Sequence, residues 1–457
     1  MNNPELTRLA GEFVSSLSFE NLPETAVDVV RLGFADTLGV ILAGRDEPVS
    51  VITAKYAEQS LAKGNTPWLF GKGSGCPEAA ALVDATAAHA LDFDDYAYSN
   101  HVSAVMVPAI LACANGAPDP SGKRMVSAYV AGYEVWGDLM SREPDHLHSK
   151  GWHPTAVFGP VAVAACASHM LGLDAARTAN ALALAASHSS GLMANFGSMT
   201  KPYHAGIAAE AGIRSARLSA LGLTAQPVAL ESGVGLLSAL SPDRRVNLSR
   251  DPSFGSPFRI EKTRINIKKY PTVGASQRSI DAVLALKAGQ EELPAPADIV
   301  EIVPRVSVKH AAVMPFNTPR LPAEAKFSLP FACAAAYLWE RVGLAELTEE
   351  KLSDPQLREL MGKVRVDAVE DYDPEYPVAT PFDIVTIRTR DGRTIESPKI
   401  YKFTGHAEKP LTREQHWEKF ADCAAAGGVG KETARDMFDR AMSVETAGGP
   451  EELTPSI

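Results

Sequence analysis

The chain has 457 residues, of which 46% are hydrophobic and 22% charged, and a formal net charge of −11. That length exceeds one simple core and implies two or three domains of an ordinary globular protein. The acidic balance speaks against a nucleic-acid partner, because a phosphate backbone demands a basic face, and no apolar run approaches bilayer-spanning length.

The opening Met1-Asn-Asn-Pro-Glu-Leu6 carries neither a basic patch nor an apolar signal core, so export is not expected and a cytoplasmic location is. Cys76, Cys113, Cys166, Cys333 and Cys423 are odd in number and far apart, which suits buried thiols better than a disulfide framework. An anionic substrate would have to be drawn in by a local cluster of Lys and His.

From residue 5 to about residue 240 the chain reads as successive helices. Pro23 opens and Gly44 closes a long one: Pro lacks only an N–H that would be unpaired there, and Gly eases the exit. Phe70–Gly75 is Gly-rich but matches neither a P-loop nor a dinucleotide fingerprint, and reads as a loop. The stretches 77–91, 104–117, 123–141, 155–171, 174–190 and 203–221 are Ala-rich with helical spacing, which predicts a compact bundle. Val161–Ala167 is apolar nearly all round and belongs at a bundle centre or a subunit interface.

The pattern changes near residue 260. Arg264–Lys268 and Asp298–Val308 alternate, and Phe382–Glu396 reads as two strands joined at Asp391-Gly392. Helical runs lie between them at 274–287, 322–341 and 348–363. After Lys409 the chain is helical again (Glu414–Ala425, Lys431–Met442), and the tail Ala447–Ile457 is expected to be disordered. The expected class is mostly α with an α+β second domain. A large all-helical domain takes residues 1–263 and 405–457 from both chain ends, and a smaller α/β domain over 264–404 is inserted between them.

His89-Ala-Leu-Asp-Phe-Asp-Asp95 followed by His101 is the most informative segment, with three acids and two imidazoles at the end of an apolar helix. Charge is costly to hold against apolar packing, so such a cluster has partners or a task. Asp92, Asp94 and Asp95 suit helix caps, and equally suit a loop that folds back so that an Asp orients His101 for proton transfer. His153 stands at a helix start ahead of Pro154, where the helix positive end favours the neutral ring; it also suits a capping role. Lys201 precedes Pro202 at the N-terminus of an Ala-rich helix that ends the loop from Asn195, a point charge suited to a carboxylate. Lys268 and Lys269 form a second candidate clamp, with Lys269 the more solvated. Asp145-His-Leu-His148 is ligand-like but lacks a third ligand at metal spacing, so no metal is expected. Ser187-His-Ser-Ser190 lacks a nucleophile elbow and falls in a helical stretch, against a Ser/His hydrolase.

His89–Asp95, Gly151-Trp-His-Pro-Thr155, Met199-Thr-Lys-Pro-Tyr-His204, Ile267-Lys-Lys-Tyr-Pro271 and Glu324-Ala-Lys-Phe-Ser328 together resemble the MmgE/PrpD family, in order and spacing, from about residue 5 to 440. That family contains 2-methylcitrate dehydratases, cis-aconitate decarboxylases and an iminodisuccinate epimerase. The resemblance implies a helical domain from both chain ends, an α/β lid, a homodimer, and cofactor-free chemistry on di- or tricarboxylic acids in a cleft between the domains. It puts the active-site acid on Asp92, the loop histidine on His101, the second histidine on His153 and the two lysines on Lys201 and Lys268. His204 joins the lysines as a substrate contact.

The chain departs from the family pattern at Tyr96 (often Thr), at His101-Val-Ser (often His-Pro-Ser or His-Pro-Gly), at Val273 or Gln277 (often His) and at Phe331 (often Tyr). These departures put a citrate-like tricarboxylate in doubt more than the reaction type. The implied mechanism is formation of a carbanion next to a carboxylate. Lys201 and Lys268 neutralise the substrate, one of His101 and His153 moves the proton under the control of Asp92, and the other protonates a leaving hydroxyl. Dehydration is expected first, then decarboxylation. Epimerisation of a substituted succinate and non-catalytic carboxylate binding are the alternatives.

Overall fold

The computed structural model describes residues 5–71, 73–289 and 293–454. By backbone contacts the chain divides into one unit of Met1–Ala90, Asp94–Asn266 and Gln415–Ile457, and another of Leu91–Phe93 and Ile267–Glu414.

The first unit is helical. Helix Pro154–Met170 is buried at every residue, as its all-round apolar sequence requires, and packs against Gly122–Met140, Val102–Ala114, Ala175–Ala186 and Thr200–Ala220. Helix Thr200–Ala220 also lies on Pro77–His89, and Gly206 is what lets it do so. A Cβ there would come within 2.2 Å of Thr86 Oγ1 and 2.5 Å of the Leu82 carbonyl. This close antiparallel approach brings the first turn of one helix to the last turn of the other. The helical C-terminal segment returns to the same unit, where Lys419 pairs with Asp36 at 2.6 Å and both side chains are buried. Among the described residues no helix is long and apolar enough to cross a membrane, and all five cysteines are free.

The second unit has a four-stranded mixed sheet. Ile299–Ser307 runs parallel to Asp367–Val369 and antiparallel to Ile384–Thr389, which turns at Asp391-Gly392 into Thr394–Glu396. Helices Gln277–Ala288 and Leu329–Trp339 cover it, with Ile280, Val283, Ile302, Phe331, Val385 and Ile387 in the core.

Several expected elements are corrected. The 174–190 helix ends at Ala186, because Ser189 Oγ and the Ser190 N–H turn to the Val157 and Ala156 carbonyls. The 203–221 helix starts at Thr200, since Pro202 in a first turn sacrifices no bond. The 322–341 run breaks where Ser328 caps Leu329–Trp339, and the 348–363 run breaks at Asp354-Pro355, the residue before Pro being excluded from helical backbone. Arg264–Lys268 forms no strand; Asn266 makes an isolated bridge to Tyr96, and Ile267 donates to the Gly405 carbonyl. Part of the Phe70–Gly75 loop is paired, Ser74–Gly75 with Thr66–Pro67, while Lys72 lies outside the described residues.

The tail expected to be disordered is ordered as far as Thr454: Leu453 is fully buried, and the Gly122 N–H binds the Ala447 carbonyl. Pro455–Ile457 lie outside the described residues.

One buried imidazole gives the helical unit an acid-sensitive point. His169 bonds the Val14 carbonyl at 2.8 Å and Ser127 Oγ at 2.9 Å. Burial, then Arg124, pushes its pKa down from 6.5 to about 4. The unfolded chain therefore gains this proton first, so the contribution is complete above 6.5 and is lost as pH falls towards 4. His169→Gln is expected to make the pH slope of unfolding shallower by ~1.4 kcal/mol per unit in that window. Denaturant melts at several pH values check it; parallel slopes for the two proteins would contradict it.

Candidate active site

The site in the helical unit is built by element ends that meet. Helix Pro77–His89 delivers His89 at its last residue, and His101 and His153 each stand immediately before a helix. Lys201 and His204 project from the first turns of Thr200–Ala220. These are positions where backbone polarity is unspent and apolar helices wall off water. His89, His153, Lys201 and His204 are buried, and His101 is half-buried.

Asp94 is the hub. Its Oδ1 meets His89 Nδ1 at 2.9 Å and its Oδ2 meets His101 Nδ1 at 2.7 Å. Burial alone would raise this carboxyl, but the two imidazoles, His101 first, outweigh it and hold Asp94 well below the usual carboxylate range. The adjacent Asp95 moves the other way, pushed well above that range by burial and then by Asp36. Two neighbouring carboxyls are thus pushed in opposite directions by their surroundings.

Lys201 Nζ lies 3.0 Å from His89 Nε2 and 5.2 Å from the Phe196 ring centre. His153 Nδ1 faces His204 Nδ1 at 3.0 Å, so the two rings hold opposite tautomers at that bond. Burial, then Lys201 and the neighbouring imidazoles, holds His153 well below its ordinary value; burial, His89 and Lys201 push His204 down to about 4. Both rings are neutral at physiological pH. Gly191 closes this corner at φ +91°, where a Cβ would sit 2.6 Å from Ala156 Cβ. Its carbonyl accepts the His153 N–H.

In the second unit, Lys268 Nζ donates to the Asp92 carbonyl at 2.6 Å and to Asp92 Oδ1 at 3.1 Å, both residues being buried. Asp92 adopts a left-handed φ of 52°, which Asp tolerates better than most residues. The acid set against His101 Nδ1 in the helical unit is Asp94. Lys269 is partly exposed beside Tyr270. Gln277 is spent on the backbone of Tyr270 and Thr272, and Phe331 is core.

His89, His101 and His153 bring one ligand-type atom each within 4.8 Å of one another. A cation fits this trio poorly, because the Lys201 ammonium already occupies His89 Nε2. Asp145, from the ligand-like His146/His148 stretch, is paired with Arg245.

His89, Asp94 and Phe196 belong to this cluster although the sequence pattern assigns none of them a specific role. Asp94 and His89 lie within His89–Asp95, but nothing in their spacing says which of three acids serves which ring.

The chain combines a helical unit that carries an imidazole–lysine–carboxylate cluster with a second unit that carries a small mixed sheet. The family model for the MmgE/PrpD N-terminal domain matches residues 8–249, and that for the C-terminal domain matches residues 270–443. The chain belongs to the MmgE/PrpD family. It is 29% identical over 420 residues to a human (Homo sapiens) cis-aconitate decarboxylase, covering 89% of this chain and 85% of that protein. It is 30% identical over 443 residues to the mouse (Mus musculus) cis-aconitate decarboxylase, covering 94% and 88%. A cis-aconitate decarboxylase of Aspergillus terreus is 24% identical over 469 residues, covering 95% and 92%.

Proposed function

We propose that this protein is a lyase that decarboxylates an unsaturated polycarboxylic acid of the cis-aconitate type, using side chains alone for charge and proton transfer. The observation that carries this reading is Asp94, a carboxylate held well below its usual range that bonds two imidazoles at 2.9 and 2.7 Å. The decarboxylase relatives move decarboxylation ahead of the dehydration expected from the sequence.

In the proposed reaction the bond to one carboxylate breaks and carbon dioxide leaves. The electron pair spreads into a neighbouring carboxylate, where the Lys201 ammonium stabilises it. A proton then passes from an imidazole to the carbon. Asp94 favours the charged form of His101, whereas burial beside Lys201 keeps His153 neutral. We therefore assign proton delivery to His101 and hydrogen bonding of the substrate to His153 and His204.

The test is incubation of the purified protein with cis-aconitate, citrate- and malate-like acids and substituted succinates, with products read by mass spectrometry. Loss of carbon dioxide from an unsaturated acid is expected. Loss of water alone would replace decarboxylase by dehydratase. Racemised starting material would make the protein an epimerase, and thermal stabilisation without product a carboxylate binder.

A further inference from the structure

Lys201 and His101 stand on different elements, and the structure links them through two residues to which the proposed chemistry gives no direct contact with substrate. Lys201 Nζ lies 3.0 Å from His89 Nε2, His89 Nδ1 lies 2.9 Å from Asp94 Oδ1, and Asp94 Oδ2 lies 2.7 Å from His101 Nδ1. The His89 and Asp94 side chains are fully buried, and that of His101 is 12% exposed. Chemistry assigns the protons. An ammonium can only donate, so His89 Nε2 accepts and its Nδ1–H donates to Asp94. An ionised Asp94 can only accept, so the His101 Nδ1–H also donates, which leaves His101 Nε2 as the nitrogen that exchanges a proton with substrate. The His89 and His101 ring centres are 3.9 Å apart, so His89 is packed behind His101 with both its nitrogens engaged by protein groups.

We propose that His89 and Asp94 are positioning residues that couple Lys201 to His101, freeing the Lys201 ammonium for substrate while His101 carries its extra proton and recapturing it once that proton is given to carbon. This inference rests on the lyase reading above. One carboxylate divides its accepting capacity between two N–H donors, and bonds in such a chain polarise one another. An imidazolium at His101 is the stronger donor and draws Asp94 towards itself. The His89 bond to Asp94 then weakens, His89 Nε2 becomes a poorer acceptor, and the ammonium turns to the negative charge on the substrate. When the His101 Nε2 proton moves to carbon, His101 returns to its neutral Nδ1–H form, Asp94 shifts back to His89, and Lys201 is drawn off the product carboxylate. Only a proton changes place in this step.

The test compares the full-length wild type with His89→Ala and His89→Gln. Glutamine can accept from Lys201 through its oxygen and donate to Asp94 through its nitrogen. His89→Ala is expected to lower kcat ~10–100-fold, the usual effect of losing an orienting partner, without raising KM. His89→Gln is expected to recover most of kcat. In ligand-free protein with ¹⁵N-labelled histidine, the His101 Nδ1–H resonance should move downfield in His89→Ala, because Asp94 is no longer shared, and move back in His89→Gln. A raised KM at unchanged kcat, or a His101 resonance alike in all three proteins, would overturn the coupling. If the Ala protein does not fold, His89→Met gives an apolar side chain of similar length for the same comparison. The resonance needs no substrate, so a wild type that converts none of the acids would sink the lyase reading while leaving the coupling to be judged by the spectrum.

Discussion

Lys201→Met is expected to lower kcat/KM on an unsaturated tricarboxylate ~10²–10³-fold, the scale of losing one preorganised group aimed at transition-state charge. The fold should survive, because the side chain is only 4% exposed and methionine replaces a buried charge with apolar volume of similar length. What disappears is the ammonium that meets His89 Nε2 at 3.0 Å and the charge that helps keep His153 neutral. His153 should therefore titrate higher in this variant than in the wild type. Steady-state kinetics with a thermal melt separates the outcomes. Activity within a few-fold of wild type, at unchanged melting temperature, would remove Lys201 from the chemistry.

Asp94→Asn is the second large effect. An amide oxygen can accept from one imidazole, but its NH₂ presents a donor to the other and forces that ring into the opposite tautomer. If His101 is the ring forced over, its Nε2 carries a hydrogen and can no longer cycle a proton. A carboxylate-to-amide change with this consequence costs ~10⁴-fold in kcat in the serine protease triad, and ~10³–10⁴-fold is expected here. Asp94→Glu keeps the charge and should lose less. Equal losses in Asn and Glu variants would show that geometry, not tautomer control, is what Asp94 supplies.

How much of this was legible in the sequence depends on the kind of signal. Helix Pro154–Met170 was readable because its apolar residues go all round and Pro154 marks its start. The Asp391-Gly392 hairpin was readable because its turn chemistry is local. The failures came where tertiary contacts override a local pattern. Arg264–Lys268 alternates like a strand, yet its backbone bonds go to single residues, Tyr96 and Gly405, with no adjacent edge to extend them. The tail after Ala447 is polar and Pro-containing, yet Leu453 is buried, and Glu445 just before it is held by Arg31.

The site shows the same division. His101, His153, Lys201 and His204 were singled out because helix starts and a Lys-Pro step are visible in one dimension. The Asp94–His89–Lys201 chain was not, because it depends on the last turn of Pro77–His89 meeting the first turn of Thr200–Ala220. That meeting is set by Gly206 against Thr86, a packing fact with no signature beyond a glycine in an Ala-rich helix.

Turnover of cis-aconitate in D₂O, followed by proton NMR of the product, puts the whole account to its sharpest trial. The wild type is predicted to deliver one deuterium to the carbon that is reprotonated, and His101→Gln to form no labelled product while still binding the acid. Labelled product at the wild-type rate from His101→Gln would contradict the assignment of that proton to the imidazole held by Asp94.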